Sequence, residues 1–210
     1  MKVIVLKEGI HTKDEPVSEH YMDRIEPICS SVTLIKAQDR WEKNILVDTG
    51  YSGYEQEIIE SLAKEGLKPE EIQVVINTHE HFDHCANNHL FTNAIKIVGL
   101  LQWNTEKSID IFKSIDHIKI QEGVSIIWTP GHKQIHTSVV VKSDKTYVIA
   151  GDTVSKEFFL SNYEGREKLE SAKKILSIAD VIIPGHGPVI HKQDFEYVRQ
   201  KIDEYEKIQI

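Results

Sequence analysis

The sequence predicts a layered α/β fold, and three observations carry that expectation. Short β-branched runs alternate with polar helical stretches, the strands fall into two successive blocks, and several apolar runs end in histidine or aspartate close to a glycine. The runs at 3–6 (VIVL), 31–37 (SVTLIKA) and 44–50 (NILVDTG) read as strands, the last closed by the turn signal of Thr49 and Gly50. Residues 55–66 (EQEIIESLAKEG) set Ile58, Ile59, Leu62 and Ala63 on one stripe of an amphipathic helix that Gly66 stops. Buried strands follow at 72–78 (IQVVINT) and 94–99 (AIKIVG), separated by a histidine-rich loop that runs into a short helix.

The second block holds strands at 117–121, 124–129, 137–143 and 146–152, the last two joined as a hairpin that turns at Ser143, Asp144 and Lys145. A helix over 165–178, a strand over 180–185 (DVIIPG) and a terminal helix from about 193 complete the chain. The segment 100–116 has the apolar spacing of an ordinary packed helix, a reading favoured over a lid.

Size and charge bound the function. A chain of 210 residues suits one domain with a well-buried core, so a single domain over 1–210 is expected. The net charge of −8 and a sequence pI near 5.8 give no footprint for long polyanions, which makes nucleic acid a poor candidate partner and a small molecule a better one. The first apolar stretch is only four residues long before Lys7, too short for a signal sequence or a membrane span. Cys29 and Cys85 show no CxxC spacing, so neither a disulfide framework nor a zinc ribbon is indicated, and a cytoplasmic location without membrane association is the expectation. A homodimer is left open.

Residues 77–85 read NTHEHFDHC, with three imidazoles and two carboxylates within six positions directly after an apolar run. His79 and His81 are two apart at the end of a strand, where extended backbone aims both rings to the same side. Asp83 and His84 enter helix, so their side chains diverge and one short segment can serve two neighbouring ions. Three more strand ends deliver His132 (IIWTPGH), Asp152 (YVIAGDT) and His186 (VIIPGHG). Strand ends on one rim of a sheet converge on a shared cavity, and nitrogen with carboxylate oxygen suits divalent zinc first, then iron or manganese. Asp83 stands where a zincin helix requires histidine, so that class is excluded. Two further residues have open roles. Asp48 either accepts a hydrogen bond from a ligand imidazole or caps a turn, and His136 either lines the cavity and contacts substrate or lies on the surface or behind the ligands. His89, His11, His20, His117 and His191 receive no role, and Cys85 reads as a small buried thiol.

The motif His79-x-His81-x-Asp83-His84, the later His132, Asp152 and His186, and LVDTG ending at Gly50 resemble the metallo-β-lactamase fold superfamily over roughly residues 30–190. Within it, THEHFDHCANNHLF, TPGHKQIHTSVVV and ADVIIPGHGP look most like small single-domain members of the metallo-β-lactamase domain-containing protein 1 type. The resemblance implies a four-layer αβ/βα sandwich with metals at one edge. It implies that His79, His81 and His132 hold one ion, that Asp83, His84 and His186 hold a second, and that Asp152 bridges them. Ala86 stands where this superfamily commonly has glycine, and Ser155 where its acyl-homoserine lactonases have tyrosine. Only 24 residues follow His186, against the helical glutathione domain of glyoxalase II proteins.

The activity to expect is that of a dinuclear metal-dependent hydrolase. Two ions about 3.5–4 Å apart bring the pKa of a shared water towards about 7, and the hydroxide attacks an ester, thioester, lactone or related acyl substrate. Asp83 both binds metal and orients the hydroxide. The competing readings are a phosphodiesterase or ribonuclease of the same fold, a mono-iron sulfur dioxygenase, and a metal-stabilised binding module without catalysis.

Overall fold

A computed structural model describes residues 1–10, 28–99, 101–103, 110–111, 117–158 and 164–208. Its first sheet is built from β1 (Lys2–Lys7), β2 (Val32–Lys36), β3 (Ile45–Val47), β4 (Val74–Asn77), β5 (Ile95–Val98), β6 (Leu101–Trp103) and β7 (Asp110–Ile111), in spatial order equal to chain order. Its second is built from β8 (His117–Gln121), β9 (Val124–Trp128), β10 (Thr137–Lys142), β11 (Thr146–Gly151), β12 (Val181–Pro184) and β13 (Ile190–His191), again neighbouring in chain order. The helices are α1 (Glu55–Lys64), the single turn α2 (Phe82–Cys85), α3 (Arg166–Ile178) and α4 (Phe195–Ile208). Among the described residues no helix is long and apolar enough to cross a membrane.

The alternation of side chains along each strand sorts the apolar residues into layers. Ile35, Ile45, Val47, Val74, Ile76 and Ile97 point from the first sheet towards Val124, Ile126, Val139, Val141, Ile149 and Ile183 of the second, forming the central core. Their immediate neighbours Leu34, Leu46 and Val75 point the other way and pack under Ile58 and Leu62 of α1. On the far side, Ile127, Val140, Val148 and Ile182 meet Leu169, Ala172 and Ile175 of α3 and Val198 and Ile202 of α4. The result is helix, sheet, sheet, helix: the four-layer sandwich that the sequence led us to expect. Burying each of these valine, leucine and isoleucine side chains contributes about 1.5–3 kcal/mol.

Predicted and observed elements differ over 100–116 and at β13, a two-residue strand beside β12 that is not among the expected elements. The described residues of that stretch over 100–116 form β6, which pairs antiparallel with β5, and β7, which pairs antiparallel with β6, and not the expected packed helix. Short strands that gain their stability by pairing with an existing edge have no periodicity of their own to read. The remaining residues of that segment, together with His11 and His20, lie outside the described residues. Pairing within each sheet is parallel where it matters for function: β3 with β4, and β11 with β12. Parallel neighbours end together, so the segments that follow β3, β4, β11 and β12 emerge side by side.

Candidate metal centre

Each chemistry-bearing residue follows a strand end. Asp48 follows β3, His79 and His81 follow β4, His132 follows β9, Asp152 follows β11 and His186 follows β12, while Asp83 and His84 ride on α2. The structure brings all seven predicted ligands together in two groups. His79, His81, His132 and Asp152 form one and Asp83, His84 and His186 the other, with the ligand atoms in each within 4.8 Å of one another. Asp152 stands between them. Its Oδ2 lies 3.3 Å from His132 Nε2 and 3.8 Å from His79 Nε2, while its Oδ1 lies 3.2 Å from His84 Nε2 and 3.5 Å from His186 Nε2. Asp83 Oδ2 is 3.1 Å from His186 Nε2 and 3.7 Å from His84 Nε2, so the second group also has a carboxylate of its own.

The fit to cations can be tested on the buried polar atoms. His79 Nε2, His84 Nε2 and Asp152 Oδ1 are all buried, and none has a hydrogen-bond partner. Burying such groups unsatisfied costs on the order of 1–3 kcal/mol each. Here they face one another, and a divalent ion in each group would satisfy all of them. Nitrogen and carboxylate donors, with no thiolate among them, suit zinc, iron or manganese.

The outward nitrogens of His84, His186 and His79 each meet a neighbouring polar group. His84 Nδ1 donates to Asp48 Oδ2 at 2.8 Å, leaving Nε2 for the centre. Asp48 is fully buried, also accepts the Thr78 backbone N–H at 2.8 Å and the Thr78 hydroxyl at 3.0 Å, and adopts φ +56°, a left-handed conformation that aspartate tolerates better than most residues. Of the two roles open for it, the structure shows the hydrogen bond, to the imidazole of His84, one of the predicted ligands. His186 Nδ1 donates to Ile10 O at 3.1 Å, and His79 Nδ1 lies 3.1 Å from Thr78 Oγ1.

His136 does not line the cavity. It is fully buried, its Nε2 accepts the Asp152 backbone N–H at 3.2 Å, and its Nδ1 therefore carries the proton towards Thr129 Oγ1 and Thr153 Oγ1, 3.1 and 3.2 Å away. Burial pushes its pKa down to about 3, so it is a neutral brace under Asp152.

Sequence reasoning missed three supports. Asn77 Nδ2 donates to His84 O at 2.8 Å, Asn87 Nδ2 ties Thr49 O and Tyr51 O at 2.9 Å each, and Glu164 Oε1 sits 2.6 Å from His132 Nδ1. An asparagine ending an otherwise apolar strand was a signal for the first. Glu164 offered none, because it lies 32 residues from its partner. Gly185 is required at its position: a Cβ there would sit 2.2 Å from Asp152 Oδ1. Ala86 has φ −59° and ψ −32°, so its Cβ brings no strain where the superfamily commonly has glycine.

Electrostatics divides the imidazoles. Burial drives the His79 pKa far down. Burial alone would do the same to His84, but the carboxylates of Asp152 and Asp48 outweigh it and hold this ring well above the ordinary histidine value of 6.5. That shift favours the protonated ring in the chain alone, and a cation entering the second group would displace that proton. Zinc binding at pH 7 is expected to release about one proton from this ring, and affinity should fall as pH falls. Titration calorimetry in two buffers of different ionisation enthalpy measures the release, and identical heats in both would contradict the assignment.

Comparison with known proteins agrees with this geometry. The sequence model described as the Metallo-beta-lactamase superfamily matches residues 29–110. A probable metallo-hydrolase of Methanocaldococcus jannaschii is 35% identical over 156 residues, spanning 71% of this chain and 73% of the relative. Metallo-beta-lactamase domain-containing protein 1 of Xenopus laevis is 33% identical over 168 residues, spanning 75% of this chain and 70% of that protein. Among solved structures, a metallo-beta-lactamase family protein of Thermus thermophilus superposes with a TM-score of 0.64 at 16% identity, over 97% of this chain and 77% of the other, a likeness of fold.

Proposed function

Because the chain belongs to the metallo-β-lactamase superfamily, a superfamily of hydrolases, we propose that it is a dinuclear metal-dependent hydrolase of small acyl substrates: esters, thioesters or lactones. The observation that carries this reading is the placement of Asp152, with one carboxylate oxygen turned to each group of imidazoles. A single-ion centre would need only the first group, and the second is equally complete. His79, His81 and His132 would hold one ion, Asp83, His84 and His186 the other, and Asp152 both. Zinc is the ion this donor set favours, with iron or manganese next.

Divalent ions so held supply Lewis-acid polarisation of the substrate and a water of lowered pKa. The chain's own residues do the rest. Asp83 is half-buried at the mouth of the centre. Burial would raise its carboxyl, but the hydrogen bond from His186 and the charge of His84 outweigh that and hold it below the usual carboxylate range. Asp83 can accept a hydrogen bond from the attacking water and orient it, and the proton that water loses as its oxygen bonds to the acyl carbon passes to the leaving-group oxygen or sulfur as that bond breaks. His79 and His84 close the floor, because neither is exposed to solvent. Phe82, between His81 and Asp83 in the chain, is 60% exposed and rests edge-on against Tyr51 with ring centroids 5.4 Å apart. An apolar face beside the ligands supports an acyl substrate over a phosphodiester, as does the net charge of −8.

The test is turnover of p-nitrophenyl acetate and of bis(p-nitrophenyl) phosphate by protein loaded with zinc, manganese or iron, beside Asp83→Ala. Ester hydrolysis that falls by about 10²-fold or more in the variant is expected. Cleavage of the phosphodiester alone would favour the nuclease reading, and two tightly held ions without turnover of either would favour a binding module.

A further inference from the structure

Resting on the reading that His132 holds a cation, we propose that Glu164 is a positioning residue of the metal centre, fixing the His132 ring from behind with Lys168 as its buried counter-charge. His132 turns Nε2 inward, 3.3 Å from Asp152 Oδ2 and 3.2 Å from His81 Nδ1. Its Nδ1 turns outward and meets Glu164 Oε1 at 2.6 Å. The same oxygen accepts from Lys168 Nζ at 2.8 Å. The Glu164 side chain has no exposure and that of Lys168 only 4%, so this is no solvated surface pair. A carboxylate so deeply buried needs partners to offset its desolvation, and Lys168 supplies the counter-charge while His132 supplies an N–H donor.

The backbone is arranged to make this contact. Lys168 lies in the first turn of α3, and Gly131, immediately before His132, rests directly on that turn: a Cβ at Gly131 would be 2.2 Å from Lys168 N, and φ there is +126°. Ser171 Oγ clasps the same loop through Pro130 O at 2.7 Å. The loop that delivers His132 is thus fastened to the outer helical layer, and Glu164 sets its tautomer. A carboxylate on the outward nitrogen keeps the proton on Nδ1, leaves the Nε2 lone pair facing the ions and raises its basicity. His84 receives the same service from Asp48, so each half of the centre has one imidazole backed by a buried carboxylate.

Zinc affinity measured by competition with a chromophoric chelator tests the proposal. Glu164→Ala is expected to weaken one of two zinc equivalents about 10- to 100-fold and leave the other unchanged, and Glu164→Gln, whose amide oxygen still accepts from Nδ1, should recover part of the loss. Nitrogen-15 NMR of the zinc-loaded wild-type protein should place the His132 proton on Nδ1, shifted downfield by the short contact. That measurement decides the matter even if Glu164→Ala does not fold. Both equivalents binding Glu164→Ala with wild-type constants, or a His132 proton found on Nε2, would overturn the proposal. A wild-type protein that binds no zinc would instead overturn the metal reading beneath it.

Discussion

Asp152→Ala is expected to abolish measurable hydrolysis, a loss of about 10²- to 10³-fold or more, and to leave less than one tightly held cation per chain. The expectation follows from what faces this carboxylate. His132 and His79 approach one oxygen, His84 and His186 the other, all within 3.2–3.8 Å. With the carboxylate gone, two divalent charges would be held beside five neutral rings with Asp83 as the one remaining carboxylate of the two groups. Repulsion between the ions, at a separation of a few ångström and partly out of water, then opposes double occupancy. Asp152→Asn sharpens the test. Its amide keeps the shape and one acceptor oxygen, but turns an NH₂ donor towards one imidazole pair, so one ion at most should remain. Metal analysis after dialysis, alongside kcat/KM, reads both variants, and two retained equivalents in Asp152→Asn would refute the bridging role.

Most strands, and the clustering of the candidate ligands, could be read from the chain because both are written locally. Residues 74–76 are apolar and continuous, 77–84 concentrate donors, and each of His132, Asp152 and His186 closes its own strand within a few residues. The two-residue period puts Leu34 and Ile35, or Leu46 and Val47, on opposite faces, but which face meets the second sheet is decided by the fold. What escaped notice depends on distance in the chain. Glu164 and Lys168 look like ordinary charged residues at a helix start, and only the packing of α3 against the Pro130–Gly131 turn buries them beside His132. His136 was open between the cavity, the surface and a place behind the ligands, and only the fold decides: it lies buried just before β10, with its Nε2 accepting the Asp152 backbone N–H. Strands β6 and β7 exist by virtue of the edges that β5 and then β6 offer, which no local pattern records.

Asp48 offers the second large effect, and two substitutions there should separate stability from metal binding. Asp48→Ala leaves the Thr78 N–H, the Thr78 hydroxyl and His84 Nδ1 without their shared acceptor, at a residue with no solvent exposure. Removing one member of a buried ionic network costs about 3–5 kcal/mol. Alanine at φ +56° adds about 1–2 kcal/mol of backbone strain, so a protein of ordinary stability would be left near or below its folding threshold. Asp48→Asn differs on both counts. Asparagine tolerates the left-handed conformation, and its oxygen can still accept the Thr78 N–H. Its NH₂ group, however, then faces His84 Nδ1, which must become an acceptor, and the imidazole proton is forced to Nε2, the atom turned to Asp152. The Asn variant should therefore fold with a modest loss of stability while its second group binds zinc poorly. Urea denaturation gives the first quantity and chelator competition the second. Equal stability losses in the two variants, with zinc affinity unchanged in Asp48→Asn, would mean that Asp48 serves only the turn after β3 and not the ligand behind it.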